Sequence, residues 1–237
     1  MANRKVTKDV SDSIIAAAVL ANFYLDRAVR MIEAHDSDHT TVVVKGKNLI
    51  PLAIGDNWFL IDTDAEINSL ADLDTGSIQA GKDYYIYACD DAGDLIFTTS
   101  LNSTFPAGFD ANTSRKIGGF HTLCLGTSIA TDGVSAALPS GHPLLDYSTS
   151  DVLPASVWDL RHRPASEPAG MVFSGESNIW VDIYLTSGTG SNAASVFGGA
   201  VSKSRNWMDF VDDFASVRKK MLDDSEFQVV AAGSNER

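Results

Sequence analysis

Residues Arg205–Ser234 read RNWMDFVDDFASVRKKMLDDSEFQVVAAGS, and the spacing of their apolar side chains decides how the end of the chain folds. Trp207, Phe210, Val211, Phe214 and Val217 recur at helical intervals behind Asn206, whose short side chain can accept an orphan backbone N–H as an N-cap. The polar run Lys219–Asp224 breaks this helix. Asp223 or Asp224 caps a second helix through Phe227, Val230 and Ala231, and Gly233 ends it. Upstream, Ile179, Trp180, Val181, Ile183, Tyr184 and Leu185 form an apolar strand interrupted by Asp182 alone. A strand followed by two short helices predicts a compact α+β unit. Its expected core is Trp207, Phe210, Phe214 and Phe227, with Lys219-Lys220 as an exposed turn.

The run KKMLDDSEF, Lys219–Phe227, resembles the signature G-K-R-L-P-T-x-x-E-[FW] of the C-type-lectin-like fold. That fold is shared by formylglycine-generating enzymes and by retroelement-diversified phage receptor-binding proteins of the major tropism determinant type. Trp207, Asp209 and Phe210 match the W-x-D-F helix of the phage branch, and Ile179–Ser187 is similar to its opening strand. Arg218 stands where the family has Gly, Met221-Leu222 where it has Leu-Pro, and Asp223 where it has Thr. The resemblance covers roughly residues 170–237, about half of that fold, and implies a scaffold made by Trp180, Asp182, Trp207, Asp209, Phe210, Phe214, Glu226 and Phe227. The enzyme branch holds copper with two cysteines late in the fold, and this sequence has no cysteine after Cys124. The ligand-bearing positions of the phage branch are also absent, so the resemblance implies scaffold and not site.

Working toward the N-terminus, residues 126–170 carry five of the seven prolines with many Ser and Gly, and read as a connection between domains. Within it VLPASVWDL, Val152–Leu160, can dock as a short element with Trp158 as its apolar anchor. Residues 41–125 read as short strands with turn punctuation, a β-sandwich or barrel. Gly55-Asp56-Asn57 turns one hairpin, and the run after Tyr84–Cys89 turns a second. Ala65–Ala71 reads as a short helix or turn. Gly118-Gly119 marks a bulge or a close backbone approach. The phrases GKDYYIYAC and RKIGGFHTL resemble modules of phage tail-fibre proteins.

Residues 1–10 read as a polar arm. Ser11–Ala34 has a helical pattern in which Ile15, Ala18, Asn22, Leu25, Val29 and Ile32 follow heptad spacing. A single Asn on such a seam can set the register of an oligomer, and the same pattern suits an amphipathic helix packed on its own domain. Asp9 and Asp12 before the apolar stretch argue against a signal peptide. The expected organisation is therefore 1–40 arm and assembly helix, 41–125 β-sandwich, 126–170 connection, and 171–237 partial C-type-lectin-like unit. The fold class is α+β and β-rich.

The chain has 237 residues, 44% hydrophobic and 21% charged, which are globular values. Its net charge of −13 argues against nucleic acid as a partner. No apolar run is long enough to insert in a membrane. Cys89 and Cys124 read as buried thiols, with a disulfide between them left open. The Gly-rich segments match neither a phosphate loop nor a dinucleotide fingerprint. Asp209, Asp212 and Asp213 allow a metal or acid–base pair, against a solvated helix face. No catalytic, metal or cofactor residue is assigned. The expected function is a non-enzymatic virion structural protein of a tailed bacteriophage, made in the host cytoplasm. It would be a tail-fibre, receptor-binding or adaptor component that assembles as a homo-oligomer, with a trimer favoured, and contacts other virion proteins and a host surface receptor. A capsid-decoration or head-fibre protein, and a soluble carbohydrate- or calcium-binding module, are the alternatives.

Overall fold

The computed structural model describes residues 4–5, 30–46, 50–124 and 146–232. The chain divides into two compact units, Met1–His162 and Arg163–Arg237.

Among the described residues the first unit has ten strands: β1 Arg4–Lys5, β2 Ile32–Ala34, β3 Thr41–Val44, β4 Ile50–Ile54, β5 Asn57–Ile61, β6 Ala65–Asn68, β7 Asp83–Asp91, β8 Asp94–Ser100, β9 Ser114–His121 and β10 Trp158–Asp159. Seven form one antiparallel sheet in the order β10-β9-β7-β8-β1-β5-β4, and β2-β3-β6 form a second. Both sheets feed one core. Val42, Val44 and Ile67 come from the small sheet, and Leu52, Phe59, Ile61, Tyr84, Ile86, Ile117 and Phe120 from the large one. Alternation explains the division: Tyr84, Ile86 and Ala88 of β7 share one face and enter that core.

Turn chemistry places both expected hairpins. Ile54 pairs with Asn57 across Gly55-Asp56, with Gly55 at φ 54°. Asp91 pairs with Asp94 across Ala92-Gly93, both with positive φ as a tight hairpin turn requires, and Gly93 N–H donates to Asp90 Oδ1 at 2.7 Å. The glycine pair on β9 admits a close backbone approach and lies next to a bulge. The register against β7 shifts between Ile86 and Tyr87, which leaves Ile117 as the extra residue of a bulge. A Cβ at Gly118 would lie 2.5 Å from the Trp158 carbonyl, and one at Gly119 would lie 2.6 Å from the Tyr84 carbonyl.

Trp158 is buried, and its strand adds to the edge of β9 with Trp158 opposite Gly119. The next residue joins the two sheets. Asp159 is fully buried, and its Oδ2 accepts from the N–H groups of Met31 (2.6 Å) and Ile32 (3.1 Å) at the start of β2. Oδ1 accepts from Arg161 (2.7 Å) and His162 (2.8 Å). A buried carboxylate with four N–H donors is satisfied without a cation.

Several expectations are corrected. Residues 11–29, with Ile15, Asn22, Leu25 and Val29, lie outside the described residues. The end of that pattern is not helical: Ile32 lies in β2, paired with Val44, and is fully buried in the core instead of on an assembly seam. Two-residue alternation beside β3 outweighs the helical spacing there. Ala65–Asn68 is a strand against β3 because Ile67 completes the small sheet's inner face, and Asn68 Oδ1 then caps the turn at Leu70 and Ala71. Arg4–Lys5 is paired between β5 and β8 and is no free arm. Of the stretch expected as a connection, residues 146–162 build onto the first unit, with Val152 N–H donating to the His39 carbonyl and Leu153 N–H to that of His121.

The second unit has two hairpins, β11 Met171–Ser174 with β12 Ile179–Asp182, and β13 Thr186–Ser187 with β14 Ala194–Ser195. Helices α1, Trp207–Ser216, and α2, Asp224–Ala231, follow. The apolar run through Leu185 is not one strand: β12 ends at Asp182, and Leu185 is 75% exposed.

Asp159→Ala strips two buried and two part-buried N–H groups of their acceptor and should lower stability by about 3 kcal/mol, read from urea unfolding followed by fluorescence. A loss below about 1 kcal/mol would show that the two sheets do not depend on this carboxylate. Cys89 and Cys124 are both free thiols, and burial pushes the Cys89 thiol up to about 12. The folded value lies above the unfolded one, so the unfolded chain releases this proton first and stability falls as pH rises from about 9. At pH 8 a thiol reagent should label Cys89 only after unfolding, as peptide mapping would show.

Candidate functional site

The strongest candidate lies within the second unit, where the segment after α1 faces β12. Helix α1 starts in a capping box: Asp209 N–H donates to Asn206 Oδ1 (3.0 Å) and Asn206 N–H to Asp209 Oδ2 (3.1 Å). It ends in a Schellman motif, with Lys219 N–H on the Phe214 carbonyl (2.8 Å) and Arg218 N–H on that of Ala215 (3.1 Å). Such an ending requires a left-handed residue just past the cap, and Arg218 supplies it at φ 60°. The lectin-like signature carries Gly at this position, so the departure at Arg218 has a conformational cost of about 1 kcal/mol.

Two ion pairs fix the segment that follows. Lys219 Nζ lies 2.5 Å from Asp182 Oδ1 at the end of β12, and Lys220 Nζ lies 2.5 Å from Glu226 Oε1 on α2. Lys219 is therefore largely buried, whereas Lys220 is exposed as expected for a turn. Glu226 also completes the capping box of α2: its Oε2 accepts from Asp223 N–H (3.1 Å), while its own N–H donates to Asp223 Oδ1 (2.8 Å). The hydrogen bonds to Ser225 and Glu226 hold the Asp223 carboxyl below its ordinary value.

Between β12 and this segment runs a groove of about 560 Å³, lined by Trp180, Asp182, Tyr184, Phe214, Arg218 and Lys219 among others. Trp180 is half-buried beside Phe173, ring centres 5.5 Å apart. Phe214 is half-buried and stacked on Phe210 at 6.2 Å. The lining is largely apolar with a cationic lip, a composition suited to binding.

The expected helical core is corrected. Trp207 and Phe227 are 64% and 53% exposed, and the buried residue of α1 is Asp213. Its Oδ1 accepts from Gly190 N–H at 2.6 Å and its Oδ2 lies 2.7 Å from an Arg205 guanidinium nitrogen. The solvated-face reading therefore fails for Asp213. Asp209 is engaged separately as a cap, and Asp212 is exposed. Among the described residues, no three His, Cys, Asp or Glu side chains are grouped to hold a metal ion. Sequence reasoning missed the burial of Asp213 and the groove. The arginine at a glycine position was the one signal pointing to the latter.

Arg218→Gly relieves the left-handed strain and should stabilise the chain by about 0.5–1 kcal/mol in urea unfolding, provided the guanidinium does no structural work. A destabilised variant would show that the arginine side chain holds the segment.

Comparison with known proteins follows the architecture. The family model described as "Mtd second domain" matches residues 32–159, the two-sheet core closed by Asp159. The tail fiber receptor-binding protein of Bordetella phage BPP-1 is 29% identical over 184 residues, covering 68% of this chain and 44% of that protein. Among solved structures, the Major Tropism Determinant U1 variant is similar with a TM-score of 0.62 and 23% identity. The M1 variant has a TM-score of 0.61 and 22% identity. Each likeness covers 87% of this chain and 54% of that one, and so shares the fold beyond the first unit. The chain thus spans about half the length of these relatives. With more than half of its residues inside the matched region, the chain belongs to the Mtd second-domain family.

Proposed function

We propose that this chain is a non-enzymatic structural component of a tailed-phage virion, carried in a tail fibre and serving receptor binding. The observation that carries the reading is the match of residues 32–159 to the Mtd second domain, on a β-rich unit whose polar groups are engaged in holding sheets together. The relative from Bordetella phage BPP-1 is itself described as a tail fiber receptor-binding protein. The second unit is read as a partial C-type-lectin-like unit used for packing and assembly. Lys219 and Glu226 of its signature make ion pairs to Asp182 and Lys220, as a scaffold would.

Homo-oligomeric assembly, with a trimer favoured, and contact with other virion proteins belong to the same proposal. Support comes from large apolar side chains left in solvent on the second unit, notably Leu185, Trp207, Met208 and Phe227. Immunogold labelling of intact particles carrying this chain should place it at the tail fibre. Labelling of the capsid lattice instead would sink the tail assignment in favour of head decoration. Light scattering should give three chains per particle, and a strict monomer at high concentration would remove the trimer.

A further inference from the structure

Five non-glycine residues among those described have left-handed backbone: Ala92, Ser150, Asn178, Ser204 and Arg218. Two of them, Asn178 (φ 55°) and Arg218 (φ 60°), line the groove beside β12. Among the described residues glycine fills nine other positive-φ positions, so the chain does not lack that solution. A long cationic side chain kept where glycine fits best is an outlier of the kind that concentrates at binding sites.

Charge sharpens the point. The groove carries three cations, Arg218, Lys219 and Lys220, against the single carboxylate of Asp182. Lys219 is neutralised by Asp182 and Lys220 by Glu226. Arg218 makes no ion pair among the described residues and is exposed. Beside it the walls are apolar: Trp180, Phe214, Met221 and Leu222. A guanidinium offers a planar fork to a carboxylate, and an apolar wall favours the desolvated body of the same molecule.

We infer that this groove binds a small amphipathic carboxylate, about the size of an aryl carboxylate. Its apolar body lies along the Trp180–Phe214 side and its carboxylate pairs with Arg218. The volume of about 560 Å³ falls in the ordinary range for such sites. The inference does not rest on the receptor-binding reading.

The test uses the full chain and two probes of the same shape, 2-naphthoate and the neutral 2-naphthamide, in saturation-transfer NMR titrations. Naphthoate should bind saturably and about tenfold more tightly than the amide, and its affinity should fall with added salt. Arg218→Gly should reduce naphthoate binding to the level of the amide while thermal stability is held or raised. That combination separates a lost contact from a lost fold. Lys203→Ala, which removes an exposed cation that does not line the groove, should bind naphthoate as the parent does. Equal binding of the two probes, an Arg218→Gly titration unchanged from the parent, or no saturable response to naphthoate overturns the inference.

Discussion

The first unit depends on a buried carboxylate held by backbone N–H groups, with no ion pair among the described residues. Asp159 sits at zero exposure with two N–H donors from the start of β2 and two from the turn that follows β10. β10 belongs to the large sheet and β2 to the small one, so one side chain ties the two layers together. Burying a charge is costly unless its lone pairs are filled, and here four backbone groups fill them. Those groups are themselves orphans at strand and turn ends, so the carboxylate solves two accounting problems together.

Its setting is prepared by small residues. Trp158 approaches β9 only because Gly118 and Gly119 carry no Cβ, and the bulge at Ile117 tilts that strand locally. The indole lies edge-on to Tyr85, which also receives the Lys116 ammonium over its ring at 4.5 Å. The outer side of β7 is thus partly covered at Tyr85, and further along the same face Tyr87 and Cys89 are buried, with the Tyr87 hydroxyl donating to the Asn102 carbonyl at 2.6 Å.

The second unit is organised differently. Its aromatic residues do not close a core around the helices: Trp207 and Phe227 face solvent. Polar ties hold the parts instead. Asp213 anchors α1 to the loop at Gly190, Lys219 ties the segment after α1 to β12, and two capping boxes start the helices. Local hydrogen bonding of this kind defines short helices without requiring a packed interior. It also leaves an open groove and exposed apolar surface in a unit otherwise well defined along the chain.

What sequence alone determined is what local chemistry determines. Asn206 caps the helix that its spacing assigns to it, Asp223 is the one of two candidate residues that caps the next, Gly55 and Gly93 turn their hairpins, and the glycine pair on β9 admits Trp158, because caps, turns and close approaches depend on a few neighbouring atoms. The motif around Lys219–Phe227 did not show its ion pairs: Lys219 reads as part of an exposed turn, yet it is largely buried against Asp182. Tertiary structure decided the rest. Ile32 satisfies a helical seam and a strand alternation equally well, and only pairing with Val44 chose between them. Asp159 and Asp213 look like surface carboxylates in a one-dimensional pattern. Their burial follows from donors 128 and 23 residues away in sequence, a coincidence in space that no local spacing encodes. The groove at Arg218 arises likewise, from a helix ending meeting a strand some forty residues earlier.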